Sequence, residues 1–164
     1  MLIYPKKYYD RIVDIDVNEF LENNIKAIIL DVDNTLLDFD LNIVEGLKEW
    51  YQKVHESGIT AIIVSNSGKI TKIEKVASLL QIEYIRYGMK PLKKGLKAAQ
   101  KKLGVKSENI AVIGDQIFTD VIGANRCKMF SILVKPLDEK DIWMTKIKRP
   151  LENFVIKRYL KSRG

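Results

Sequence analysis

The stretch IKAIILDVDNTLL, residues 25–37, constrains this chain more than any other part of it. Ile28, Ile29 and Leu30 follow one another with no polar residue between them, so both faces of the segment call for burial. Such a run reads as a central strand of a parallel sheet. Asp31 and Asp33 then stand where the strand should end. Open α/β sheets bind ligands beyond the carboxyl ends of their strands, so this stretch proposes an acidic site at the rim of a sheet. Two carboxylates this close resist ionising together unless a cation lies between them. Mg²⁺ suits the pair, because it takes hard oxygen ligands and bridges to phosphate. A calcium loop also begins D-x-D-N, but Leu36 stands where it needs glycine and Asn42 where it needs a bidentate glutamate. A purely structural turn would leave two acids after a buried strand without a task.

The rest of the chain alternates between two periods. Asp16 followed by Glu19 reads as a capping box for a short helix from Val17 to about Asn23. The first strand follows at about 26–31. A helix over 43–57 carries Val44, Leu47, Trp50, Tyr51 and Val54 on one stripe and ends at Gly58. Strands are expected at 59–64, 82–86, 110–113 and 130–134. Helices are expected at 70–80, from Pro91 to about Leu103, and at 118–127. This pattern predicts one α/β domain over 1–164, a five-stranded parallel sheet between helices with right-handed crossovers and its core at about 25–135. Residues 137–164 read as a basic appendage: a weak turn over 138–144, then a helix over 150–160 with Leu151, Phe154, Val155 and Tyr159 on one face.

Composition narrows the setting. Apolar residues make up 46% of 164, enough for a core, and 30% are charged, which favours solubility. No apolar run approaches the ~18 residues of a membrane span. The opening MLIYPKKYYDRIVDID carries charges throughout and lacks the apolar centre of an export signal, which points to a cytoplasmic protein. Cys127 is the only cysteine, so neither an internal disulfide nor a cysteine metal site is available, and His55 is the only histidine. Of the net charge of +7, most sits in residues 145–164, which hold seven basic groups against Glu152 alone. Such a tail favours an anionic partner, or is simply a solvated helical face, and the apolar face of its helix can equally pack on the domain.

Three further strand ends carry polar punctuation. Ser65-Asn66-Ser67-Gly68 offers hydroxyl, amide and backbone N–H groups at a strand-to-helix turn, where phosphate oxygens can be held or a helix merely capped. Lys90, beside Pro91 and shortly before Lys93 and Lys94, is by itself ordinary surface. Gly114-Asp115-Gln116, with Asp120 five residues beyond Asp115, can aim two carboxylates at one crevice, or Asp115 can cap the next helix.

The set is more specific than its members. Asp-x-Asp-x-Thr after a first strand, Ser after a second, Lys-Pro before a helix and Gly-Asp-x4-Asp after a further strand resemble the haloacid dehalogenase (HAD) superfamily, over about residues 25–135. LDVDNTLL, GDQIFTDVIGANR and the N-terminal Pro/Tyr/Asp-Ile segment are similar to the YqeG-type phosphatases and the mitochondrial phosphatidylglycerophosphate phosphatases, capless members of subfamily IIIA with a Rossmannoid fold. The resemblance implies that Asp31 is the nucleophile that becomes an aspartyl phosphate, and that Asp33 is the general acid and then base, oriented by Thr35. It implies that Ser65 and amides near Asn66 hold the phosphoryl oxygens and that Lys90 neutralises charge. It also implies Mg²⁺ held by Asp31, the Asp33 carbonyl and Asp115, supported by Asp120. An acid at position 33 marks a phosphatase rather than a dehalogenase.

Neither Thr35–Ser65 nor Ser65–Lys90 has room for a cap domain, so the site is expected to be open to a large substrate. The resemblance implies a lipid phosphate such as phosphatidylglycerophosphate as substrate, and the basic tail fits an anionic membrane surface met peripherally on the inner face, with Trp143, Phe154 and Tyr159 at the interface. The alternatives are a phosphatase of a protein or a nucleic-acid end, and a non-catalytic module that binds through the tail. The absence of aromatics interleaved with basic residues argues against nucleic acid.

Overall fold

The structure is a computed structural model and describes residues 1–138 and 143–163, without the side chains of 143–148. Its elements in order are β1 (Lys7–Tyr9), α1 (Val17–Glu22), β2 (Ala27–Leu30), α2 (Leu47–Glu56), β3 (Thr60–Val64), α3 (Ile70–Leu80), β4 (Glu83–Ile85), α4 (Lys93–Leu103), β5 (Ile110–Gly114), α5 (Ile122–Arg126), β6 (Phe130–Val134) and α6 (Trp143–Lys161). The strands form one parallel sheet in the order β1-β6-β5-β2-β3-β4.

Strand β2 lies in the interior of the sheet with every residue buried, as an unbroken apolar run requires. Its alternate residues serve two different cores. Ile28 and Leu30 join Ile63 and Ile113 in the layer covered by α2 and α3, with Trp50, Val54, Ile73 and Val76. Ala27 and Ile29 join Ile62 and Val112 in the layer covered by α4 and α5, with Leu96, Ala99 and Ala124. The run lacks polar alternation because both of its faces are covered.

The sheet has six strands, not the five expected. The added strand, β1, is three half-buried residues at the sheet edge, where Lys7, Tyr8 and Tyr9 pair with Ile132, Leu133 and Val134. A strand so short, with one edge unpaired, shows no period in sequence.

Other differences are local. Asp16 caps α1, its Oδ1 accepting from the Asn18 amide at 2.8 Å. Glu19 does not complete a capping box but binds Lys7 at 3.0 Å and the Tyr9 hydroxyl at 3.0 Å, tying α1 to β1. Helix α2 starts at Leu47 rather than 43, because Ile43 and Val44 pair back onto Leu37 and Leu36 and Gly46 turns through positive φ. Pro91 follows a cis peptide bond and precedes α4 instead of opening it. The helix expected over 118–127 is a wide π-helical turn, Ile117–Val121, running into α5.

The C-terminal helix starts before Pro150, at Trp143, and contains that proline. Its packed face differs from the expected one. Tyr159 is buried and donates to the Lys6 carbonyl at 3.1 Å, and Val155 and Ile156 pack against Ile117, Val121 and Leu133. Leu151 and Phe154 are exposed. The turn read over 138–144 falls mainly on residues outside the described ones, as does the side chain of Trp143.

Candidate active site

Strand register places the polar strand ends side by side. Leu30 pairs with both Ile63 and Ile113, so Asp31 lies one residue past the level of Ile113 and Asp115 two past it. Ser65 begins just beyond Val64. After Asp31 the chain folds back: Asn34 takes positive φ, which asparagine tolerates, and the Val32 carbonyl accepts the amides of Thr35, Leu36 and Leu37. This turn returns Thr35 to the rim, where it is buried.

At the centre lies Lys90, whose side chain is 1% exposed. Its Nζ is 2.8 Å from Asp31 Oδ1 and 2.7 Å from Asp120 Oδ1. Burial alone would push the ammonium down, but Asp120 and Asp31 outweigh it and hold Lys90 above the ordinary lysine value. Burial pushes the Asp31 carboxyl up to about 7, with Lys90 pulling it back and Asp120 and Asp33 adding to the rise. Asp115 is likewise raised, first by burial and then by Asp31 and Asp120, against the pull of Arg149.

The carboxylates of Asp31, Asp115 and Asp120 are all buried and bring one oxygen each within 4.8 Å of one another. Asp120 Oδ2 accepts the Gln116 amide at 3.1 Å, whereas Oδ1 has the close Lys90 ammonium but no well-directed hydrogen bond. Gly114 makes room for this side chain, because a Cβ there would collide with the Asp120 carboxyl group. An all-oxygen set of buried acids with an incompletely satisfied oxygen fits a hard divalent cation such as Mg²⁺.

The remaining expected residues fall around this centre. Thr35 faces Asp31 and Asp115 rather than Asp33: its Oγ1 is 3.4 Å from Asp31 Oδ2 and 3.3 Å from Asp115 Oδ1. The Asp33 side chain stands outside the acid cluster, 40% exposed, with Lys72 Nζ at 3.0 Å. Ser65 is buried, and its Oγ accepts the Ser67 amide at 3.1 Å. The Asn66 side chain is taken up by the backbone of Lys90, donating to its carbonyl and accepting its amide, both at 2.8 Å. Asn66 therefore fixes the lysine that fixes Asp31.

Three contributors were not legible in sequence. Lys72 reaches Asp33 from α3 and carries no motif. Arg149 and Glu152 reach the rim from α6: Arg149 Nη2 lies 2.6 Å from Asp115 Oδ2, and Glu152 accepts the Phe118 amide at 3.4 Å. Both sit in the stretch whose sequence leaves open a solvated face, a membrane contact or packing on the domain. The signals that this helix packs inward are Val155 and Tyr159 on one face and Glu152 as the lone acid among basic residues; Glu152 and Tyr159 are buried.

A Listeria monocytogenes serotype 4b protein shares the fold with a TM-score of 0.58 at 20% identity, over 72% of this chain and 85% of that one. A core domain from Streptococcus pneumoniae TIGR4 does so with a TM-score of 0.54 at 24% identity, over 78% and 96%. The parallel sheet carries an aspartate–lysine centre at its carboxyl rim, and the protein is a phosphatase. Residues 1–137 match the mitochondrial PGP phosphatase family, and the chain belongs to that family. "Probable phosphatase YqeG" of Bacillus subtilis (strain 168) is 35% identical over 161 residues, 98% of this chain and 92% of that one. "Phosphatidylglycerophosphate phosphatase 1, chloroplastic/mitochondrial" of Arabidopsis thaliana is 25% identical over 158 residues, 90% of this chain but 45% of the plant protein. Among the described residues no helix is long and apolar enough to cross a membrane.

Proposed function

We propose that the protein hydrolyses a phosphate monoester through a phosphorylated Asp31, with Mg²⁺ as cofactor and a lipid phosphate, phosphatidylglycerophosphate or a close analogue, as substrate. The observation that carries this reading is the convergence of Asp31, Lys90, Asp115 and Asp120, from three separate strand ends, within one buried cluster.

Each residue then has a task. The Asp31 carboxylate attacks phosphorus as the bond to the leaving oxygen breaks, and Asp33 delivers its proton to that oxygen. Asp33, now ionised, takes a proton from the water that attacks the aspartyl phosphate, releasing inorganic phosphate and restoring Asp31. Its partial exposure suits a group that must meet both leaving group and water. Lys90 holds the Asp31 carboxylate in place and offsets charge on the phosphoryl oxygens, and the Ser65 hydroxyl and the amides of its turn line the same rim. Asp31, Asp115, Asp120 and the Asp33 carbonyl would hold Mg²⁺, which supplies Lewis-acid charge to the phosphoryl oxygens when bound.

Access supports a large substrate. One helix and one strand stand between Thr35 and Ser65, and again between Ser65 and Lys90, so no cap covers the rim from either interval. Phe39, Tyr87, Met89 and Leu92 stand exposed on the loops that leave Asp33 and carry Lys90, an apolar border suited to acyl chains or a membrane surface. The name of the plant relative agrees with this choice.

The test is phosphate release by the purified chain from phosphatidylglycerophosphate in mixed micelles, against a soluble aryl phosphate and a phosphopeptide. Turnover of the lipid above both, abolished by EDTA and restored by Mg²⁺, is expected. Activity that survives EDTA rejects the metal assignment, and preference for the phosphopeptide rejects the lipid.

A further inference from the structure

Helix α6 reaches the candidate site through the Arg149 guanidinium and the Glu152 carboxylate. Arg149 Nη2 donates to Asp115 Oδ2 at 2.6 Å, and Nη1 donates to the Asp115 backbone carbonyl at 3.3 Å. Two contacts to one residue fix the plane of the guanidinium against it. Nη1 also meets Glu152 Oε2 at 3.5 Å, while Glu152 Oε1 accepts the Phe118 amide at 3.4 Å. Both acid side chains are buried: Asp115 is 0% and Glu152 4% exposed. A buried carboxylate is costly unless paired and hydrogen-bonded. Here the two acids and the arginine satisfy one another on the segment that carries Asp115 and Asp120.

The two oxygens of Asp115 are not equivalent. Oδ1 faces the Thr35 hydroxyl at 3.3 Å, and the same hydroxyl lies 3.4 Å from Asp31 Oδ2. Oδ1 and an oxygen of Asp31 therefore meet the same hydroxyl, and Oδ1 is the oxygen available to share a cation with Asp31. Oδ2 is held by Arg149. Ligating carboxylates are commonly fixed through hydrogen bonds to the oxygen that does not ligate, and loss of such a partner typically costs about 10–100-fold in metal affinity.

We propose that Arg149 is a positioning residue of the metal site: it pins Asp115 Oδ2 so that Oδ1 is presented beside Asp31, with Glu152 anchoring the guanidinium. This rests on the reading that Asp31 and Asp115 hold Mg²⁺. The C-terminal helix is then a working part of the catalytic domain and not only a basic tail. The opposing account, in which Arg149 is a cation competing with the metal for the acid cluster, predicts the opposite sign. Removing a competitor tightens metal binding; removing an orienting group loosens it.

The experiment is calorimetric titration of the full chain with Mg²⁺, for the wild type, Arg149→Ala, Arg149→Lys and Glu152→Gln, with circular dichroism to check folding. Arg149→Ala is expected to weaken Mg²⁺ binding by about 10–100-fold. Arg149→Lys keeps the charge but not the planar fork, and should fall between the two. Glu152→Gln should weaken binding by a smaller factor. If Arg149→Ala does not fold, the Lys and Gln variants carry the test. Folded variants that bind Mg²⁺ as tightly as the wild type, or more tightly, overturn the proposal. A wild-type chain that takes up no Mg²⁺ overturns instead the metal reading beneath it.

Discussion

Asp31→Asn is expected to do two things that a structural residue would not do together: abolish turnover and stabilise the metal-free protein above neutral pH. Burial, partly countered by Lys90 and reinforced by Asp120 and Asp33, moves the Asp31 carboxyl from 3.8 to about 7. At about 1.36 kcal/mol per pH unit, keeping it ionised in the folded, metal-free chain costs on the order of 4 kcal/mol relative to the unfolded chain. The folded value lies above the unfolded one, so the folded chain binds more protons between about pH 4 and 7. The stability tied to this proton is complete below about pH 4 and lost as pH rises through about 7. Asparagine keeps a carbonyl oxygen for Lys90 and carries no charge, so the variant escapes that loss. For a chain of this size about 1 kcal/mol moves the melting temperature by roughly 2–4 °C. In EDTA at about pH 8 the variant should therefore melt on the order of 10 °C above the wild type, with the gap closing toward pH 4. Mg²⁺ should narrow the gap by stabilising the wild type, since a ligand that binds only the folded state raises its stability. Thermal melts across this range, with and without Mg²⁺, measure all of this. A variant no more stable than the wild type at the upper pH, or a gap that ignores pH, refutes the reasoning.

Lys90→Met leaves the buried acids Asp31 and Asp120 without their shared ammonium. Breaking a buried ion pair in this way typically costs about 3–5 kcal/mol, which urea denaturation at neutral pH should register together with loss of turnover. Gly114→Ala drives a methyl group into the Asp120 carboxyl, so Mg²⁺ binding measured by calorimetry should weaken even in protein that folds. Leu151→Ser with Phe154→Ser removes two exposed apolar side chains from α6 and should leave the melting temperature unchanged. If the outer face of α6 meets lipid, the pair should also reduce sedimentation with anionic vesicles; unaltered sedimentation would rule that face out.

Much of the core was readable because β2 and β5 are unbroken apolar runs between punctuation and α2, α3 and α4 each carry an apolar stripe. Asp31, Lys90, Asp115 and Asp120 were readable because strand ends in a parallel sheet lie on one rim, whatever their distance in sequence. What escaped depends on contacts that leave no period. Strand β1 is three residues on an edge. Thr35 turns to Asp31 and Asp115 because Asn34 reverses the chain, which spacing alone does not reveal. Arg149 lies among basic residues that look alike in sequence; only the position of α6 on the domain singles it out.

The pair of hydrogen bonds between the Asn66 side chain and the backbone of Lys90 also governs how this fold can be elaborated. They close a ring of chain whose contents, α3 and β4, hang from a clasp at the base. Lengthening a flexible loop is cheap, at about 0.6 kcal/mol per doubling, so extra residues inserted far from the clasp need not move the lysine. An added lobe could be grafted there, giving an open-rimmed enzyme a lid while its ammonium group stays where it is.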